Sequence, residues 1–276
     1  MPEGITRSSG AGAPDNDPKN AIVRRTKIDA QEQLDNAVSD GLDRRAATII
    51  RDHLDGYTLS GSSGRDVGSL PGEDVILVTL ILDKSGSMQS EATTVRECYT
   101  GMVTTLQELA GQANIQISTW TFDGHKKLMY GFLPVEEVPQ VINYRPDGST
   151  ALYDTVLTAL SSQVLYTQEV WSKNKGTKNI VIVLSDGEDC ASVKDENGAK
   201  TRELAHNLIE QGDYILAYVA FGCSSGHELA RRVGFNEVIS TGKTSEDIAR
   251  IFRMIAESVI RISECTDLAT VSRLFE

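Results

Sequence analysis

Apolar residues run almost unbroken through Val75–Leu82 and Asn179–Ser185, and each run ends against an aspartate. Runs this short and continuous predict strands buried on both faces. Ile115–Phe122 alternates as a half-covered strand does, and Asp123-Gly124 is a hairpin signal that pairs it with Lys126–Phe132. Tyr214–Phe221 predicts a further strand, and Val238 and Ile239 a short last one. Between the strands the apolar period lengthens to that of a helix. Ser90–Leu109 turns Val95, Met102, Leu106 and Leu109 inward; helices are also predicted over Ala151–Val164, Thr201–Gln211, Gly226–Val233 and Ser245–Ile262. Strands alternating with helices imply an α/β fold: a doubly wound, mainly parallel sheet flanked by helices. Such sheets bind ligands beyond the carboxyl ends of their strands.

The first seventy residues follow another pattern. Residues 1–26 are rich in Gly, Pro, Ser, Asp and Asn and predict a disordered tail. Residues 27–58 predict a helical appendage. Leu34, Val38 and Leu42 make one stripe, and Ala46, Ile49, Ile50 and Leu54 a second, with Gly41 breaking the helix between them. Residues 59–73, rich in Gly and Ser, predict a flexible linker. The main domain is then expected over 74–263, with 264–276 as a C-terminal extension.

Charge narrows the choice of partners. With 27 basic and 39 acidic side chains the formal charge is −12. That surface repels phosphate backbones and anionic membranes, so nucleic acid is not an expected partner. The longest apolar run falls well short of the roughly 18 residues that suggest a membrane span, and the first thirty residues hold no apolar leader. Cys98, Cys190, Cys223 and Cys265 are widely spaced and form no Cys-x-x-Cys pair. A reducing, cytoplasmic setting is expected.

Three segments carry oxygen donors to the expected strand ends: Asp83, Ser85 and Ser87 after the first strand; Thr150 in a Gly-containing loop before a helix; and Asp186 after the central strand. Taken singly, the serines read as turn residues, Thr150 as a helix cap and Asp186 as a turn former. Taken together, an oxygen-only set suits a hard divalent cation, Mg²⁺ or Mn²⁺. Two carboxylates balance the ion's charge, and three hydroxyls add none.

These segments resemble the metal-ion-dependent adhesion site of von Willebrand factor type A domains: Asp-x-Ser-x-Ser, then a Thr before a helix, then an Asp followed by Gly. The resemblance covers roughly residues 74–263. It implies Ser85, Ser87 and Thr150 nearest the metal, with Asp83 and Asp186 bound directly or through water. It further implies a coordination position open to a Glu or Asp of a protein partner. The expected function is therefore a non-enzymatic, metal-dependent interaction module. Family analogy suggests an intracellular bacterial complex beside an AAA+ ATPase, or in stress or defence. Loops 123–127, 172–178 and 190–200 are expected to add specificity.

The alternative is a Mg²⁺-dependent phosphatase-like hydrolase using Asp83 as nucleophile. It lacks an acid/base Asp, because Ser85 stands at that place, and no phosphate-binding Gly loop occurs. A third possibility is a scaffold with an incidental metal. Other reactive side chains read as structural. Lys84, Glu188 and Asp189 are expected at the surface, and Cys98 and Cys265 as packing residues. Cys223 and His227 lack a third orienting group, and Ser224 or Ser225 explains their surroundings as a helix cap. Scattered His53, His125, His206 and His227 do not make a zinc site.

Overall fold

A computed structural model describes residues 26–69, 74–109, 113–223, 225–265 and 274–275. Six strands form one sheet: β1 (Asp74–Asp83), β2 (Ile115–Phe122), β3 (Lys126–Pro134), β4 (Gly176–Ser185), β5 (Tyr214–Phe221) and β6 (Glu237–Thr241), in the order β3-β2-β1-β4-β5-β6. All neighbours pair in parallel except β2 and β3, whose hairpin turns at Asp123–His125. The two apolar runs are thus the central strands, and Asp83 ends the first while Asp186 directly follows the second.

The period-2 alternation of these strands divides the core. Val78, Leu80, Leu82, Ile180, Ile182 and Leu184 face α4 (Ala92–Leu109) and α8 (Ser245–Glu264). Ile81, Val181, Val183, Leu216 and Tyr218 face α5 (Leu152–Trp171), α6 (Ala199–Gln211) and α7 (Gly226–Val233). Leu109, expected inward, is the last residue of α4 and is 61% exposed.

The N-terminal helices α1 (Lys27–Ser39) and α2 (Arg44–Asp52) belong to this second layer. Gly41, at φ +113°, breaks them apart as the sequence predicts. Leu34, Leu42, Ala46 and Ile50 share a cluster with Leu157 and Leu160 of α5 and Leu204 and Leu208 of α6. Helix α5 is buried along nearly its whole length because the N-terminal helices cover the face turned away from the sheet.

The stretch expected as a linker differs in its described part. A third helix, α3 (Gly56–Gly61), packs on α5 and β3. Gly61 lies so near Trp120 that a Cβ there would meet the indole at 2.2 Å. Val67 joins Val75, Phe132 and Tyr166 in a small cluster, with the last two rings stacked at 4.4 Å. Glycine and serine here permit close packing, which composition alone does not distinguish from flexibility.

Asp55 caps α3, accepting from Thr58 N at 2.9 Å, and its other oxygen takes Lys126 Nζ at 2.8 Å and Lys194 Nζ at 2.9 Å. Burial alone would raise its pKa, but the hydrogen bonds from Lys126, Thr58 and Lys194 outweigh that and hold it well below the ordinary carboxylate value.

The expected tail lies outside the described residues, apart from Thr26, which caps α1 in a capping box with Asp29. In the C-terminal extension Glu264 still belongs to α8. Leu274 is buried, and its carbonyl accepts from Ser258 Oγ at 2.5 Å and Arg261 at 2.7 Å.

Candidate metal centre

Parallel pairing places the ends of β1 and β4 side by side: Leu82 is level with Leu184, so Asp83 and Ser185 close the two strands together. Asp83 is 1% exposed. Its Oδ2 accepts from Ser185 Oγ at 2.5 Å and its Oδ1 from Ser85 N at 2.8 Å. Burial pushes this carboxyl above its ordinary pKa. The Ser185 and Ser85 hydrogen bonds pull it back, while the negative charge of Asp186 adds to the rise. Tyr144 donates its hydroxyl to the Asp83 carbonyl and ties the strand end to the loop before α5.

Above Asp83, the chain makes a short 3-10 turn over Gly86–Met88. Ser85 and Ser87, two apart, are brought to one side, with their hydroxyl oxygens 3.0 Å apart. Ser87 Oγ then donates to Asp186 Oδ1 at 2.8 Å. Four of the five expected ligands thus form one polar cluster joining the β1 and β4 loops.

Thr150 is brought beside them by the backbone. Gly148 carbonyl accepts from Gly86 N at 3.0 Å, and the Thr150 carbonyl accepts from Cys190 N at 2.9 Å and Ala191 N at 3.0 Å. Thr150 is therefore held between the loops that carry Ser85 and Asp186, and it is buried. Ala151, not Thr150, occupies the cap position of α5. Gly148 stands at φ +72°, a left-handed conformation that suits glycine.

Of the loops expected to surround the site, two do. Asp123 accepts through its carbonyl from Ala151 N at 2.7 Å, and loop 190–200 begins on Thr150. Loop 172–178 does not. Its residues 172–175 precede β4 and the rest open that strand, so it lies at the opposite end of the sheet, where Lys178 donates to the Ile262 carbonyl near the end of α8. The error has a plain cause: in a parallel sheet, segments before and after a strand lie a whole strand length apart.

Lys84 also differs from expectation. Its side chain is 14% exposed and pairs with Asp123 rather than standing in solvent. Cys223 and His227 form no catalytic pair: Cys223 Sγ meets Ser225 Oγ at 2.9 Å, while Ser225 begins α7 without a side-chain cap. Ser224 lies outside the described residues.

Sequence reasoning missed Ser185, Tyr144 and Lys243. Ser185 had a signal, since it ends the strand beside Asp83 and precedes Asp186. Lys243 had none: it belongs to the β6–α8 loop, two strands away from β4, and its ammonium pairs with Asp186 Oδ2.

The donor set fits a divalent cation. Asp83 and Asp186 would provide carboxylates and Ser85, Ser87 and Thr150 hydroxyls, and Asp186 already takes a cationic group. Among the described residues no group of three His, Cys, Asp or Glu gathers as a metal site, so hydroxyl oxygens are indispensable to such a centre.

The sequence pattern of the von Willebrand factor type A domain matches residues 78–253. Several solved structures share the fold. One is the PilB minor pilin from Streptococcus sanguinis, at 14% identity and a TM-score of 0.52, over 69% of this chain and 62% of that one. Another is a von Willebrand factor type A protein from Catenulispora acidiphila, at 15% and 0.51, over 68% and 43%. A third is the vWF domain of the type V pili tip protein Mfa5 from Porphyromonas gingivalis, at 8% and 0.52, over 71% and 99%. The chain spans less than two thirds of the first two proteins, and at these identities the likeness is one of fold. No curated protein matches. With the family pattern covering well over half of its length, the chain belongs to the von Willebrand factor type A domain family.

Proposed function

We propose that this chain is a non-enzymatic protein-interaction module that recognises a partner's Glu or Asp through a divalent cation, Mg²⁺ or Mn²⁺, held by Asp83, Ser85, Ser87, Thr150 and Asp186. Membership of the family supports an interaction module in general. The metal dependence rests on one observation: Ser87 bridges to Asp186 above a buried Asp83, so oxygen donors from separate loops meet at the ends of the central strands.

Asp83 anchors the arrangement. Both its oxygens accept hydrogen bonds, which fixes its orientation. The hydrolase alternative lacks an acid/base carboxylate, since Ser85 stands two residues after Asp83. The hydroxyls of Ser85 and Ser87 add oxygen without charge, so a bound divalent ion would keep its Lewis acidity for an incoming carboxylate. Asp123 and the loop beginning at Cys190 border the same rim and supply surface for selectivity.

An intracellular bacterial complex, associated with an AAA+ ATPase or serving stress or defence, is the setting we propose from family analogy. The four free cysteines, one of them exposed, support a reducing compartment. No helix among the described residues is long and apolar enough to cross a membrane.

Calorimetric titration of Mg²⁺ and Mn²⁺ into the purified protein tests the reading. Saturable binding is expected for the wild type and none for Asp83→Ala. Equal binding by both proteins would overturn the assignment, and robust phosphate-ester turnover lost in Asp83→Asn would replace it with the hydrolase.

A further inference from the structure

Asp186 already has a cationic partner within the chain. We infer that Lys243 is a resident cation of this site, neutralising Asp186 in the metal-free protein, and that a divalent ion must displace it to bind. This rests on the metal reading above and concerns how that same site is controlled.

The Lys243 side chain follows a defined route. It leaves the loop between β6 and α8, immediately before Thr244, the capping residue of α8. Its stem then crosses Gly222, the residue after β5. A Cβ on Gly222 would meet Lys243 Cγ at 2.9 Å and Cε at 3.1 Å. Gly222 is also held at φ +60°, with its N–H donating to the Thr241 carbonyl at 2.7 Å. The end of β5 is thus bare of a side chain where the lysine passes. Beyond it, Nζ reaches Asp186 Oδ2, while Oδ1 keeps its bond from Ser87.

Burial shows what the pairing does. The Asp186 side chain is 1% exposed, although it lies in a surface loop, whereas Lys243 is 30% exposed. A carboxylate so enclosed needs a counter-charge, because an unpaired buried charge is strongly destabilising. In the metal-free protein Lys243 provides it. Lysine suits a reversible occupant: its ammonium makes point-charge contacts, and its long flexible stem allows withdrawal into solvent while the backbone stays in place. An ion held by Asp186 would compete with the ammonium for this carboxylate, because two cations at close range repel.

Consequently, the site is set for weaker metal binding than its donor set alone would give, and occupancy by metal releases a positive charge at the rim. That charge stands beside the position where a partner carboxylate is proposed to arrive. Metal loading and partner attraction are thereby coupled through one side chain.

Lys243→Met keeps the apolar stem over Gly222 and removes the charge; Lys243→Arg keeps the charge. Isothermal titration with MgCl₂ and MnCl₂ is expected to show at least about tenfold tighter binding in Lys243→Met than in wild type, with Lys243→Arg close to wild type. In EDTA, Lys243→Met is expected to unfold at a lower temperature than wild type, and saturating Mg²⁺ to raise its midpoint by more than it raises the wild type's. Affinity in Lys243→Met equal to or weaker than wild type would overturn displacement while leaving the metal site standing. No binding by wild type, Lys243→Met or Lys243→Arg would overturn the metal reading itself and displacement with it. A double-mutant cycle with Asp186→Asn in EDTA separates these cases, since coupling between the two residues in the absence of metal reads the ion pair alone; no coupling there would also overturn the proposal.

Discussion

Among single residues, the site depends on small groups as much as on charged ones. Ser87 matters through one oxygen that reaches Asp186, and removing it as Ser87→Ala should weaken Mg²⁺ binding by at least about tenfold, read by titration, with little change in fold. Gly222 matters through an absent Cβ. Gly222→Ala forces a left-handed conformation on a residue that disfavours it and drives a methyl into the Lys243 stem. A loss of about 1–2 kcal/mol is expected from the backbone alone, measured by urea unfolding. The motif residues were legible in the sequence because their chemistry is local: Asp-x-Ser-x-Ser and Ser-Asp-Gly each sit within a few positions. Lys243 was not legible, since nothing near Gly242–Thr244 distinguishes its lysine from any exposed one. Its role arises only because a long side chain crosses the end of β5.

Single elements show the same contrast between pattern and context. The central strands were legible because continuous apolar runs leave few alternatives, and the hairpin at Asp123-Gly124 formed where its turn residues indicated. Helix α3 was not. Its residues, Gly-Tyr-Thr-Leu-Ser-Gly, carry weak helix propensity, and packing against α5 together with the Asp55 cap overrides it. Asp55→Asn should destabilise the protein by about 2 kcal/mol, losing part of the cap and the pairing with Lys126 and Lys194.

The pH dependence follows from the sign of the shift. The folded-state pKa of Asp55 is depressed, so its stabilisation is complete above its ordinary value of 3.8 and is lost as pH falls below that value toward the folded one. Denaturation midpoints between about pH 5 and pH 2 should therefore fall less steeply in Asp55→Asn than in wild type. A parallel decline in the two proteins would refute the assignment.

For the whole molecule, the N-terminal helices are a structural layer rather than an attachment. Leu34, Ile50 and Leu42 share one apolar cluster with α5 and α6, and Arg45 pairs with Glu203 of α6 at 2.6 Å. Calorimetry of the full chain should give one cooperative transition, with calorimetric and van't Hoff enthalpies in agreement. Deleting residues 1–54 should expose the outer face of α5, raise dye binding to apolar surface and lower the midpoint sharply. Two separate transitions in the intact chain would show instead that the helices fold as an independent unit.

The sequence by itself determined the α/β alternation, the two central strands and the placement of Asp83, Ser85, Ser87 and Asp186 at their ends, because apolar period and short motifs are written within a few consecutive positions. The tertiary structure alone decided that α1 and α3 pack onto α5 and α2 onto α6, that loop 172–178 lies at the far end of the sheet, and that Lys243 reaches Asp186. Those outcomes depend on strand order, parallel direction and the reach of one side chain across a neighbouring strand, and all three join residues far apart in the chain.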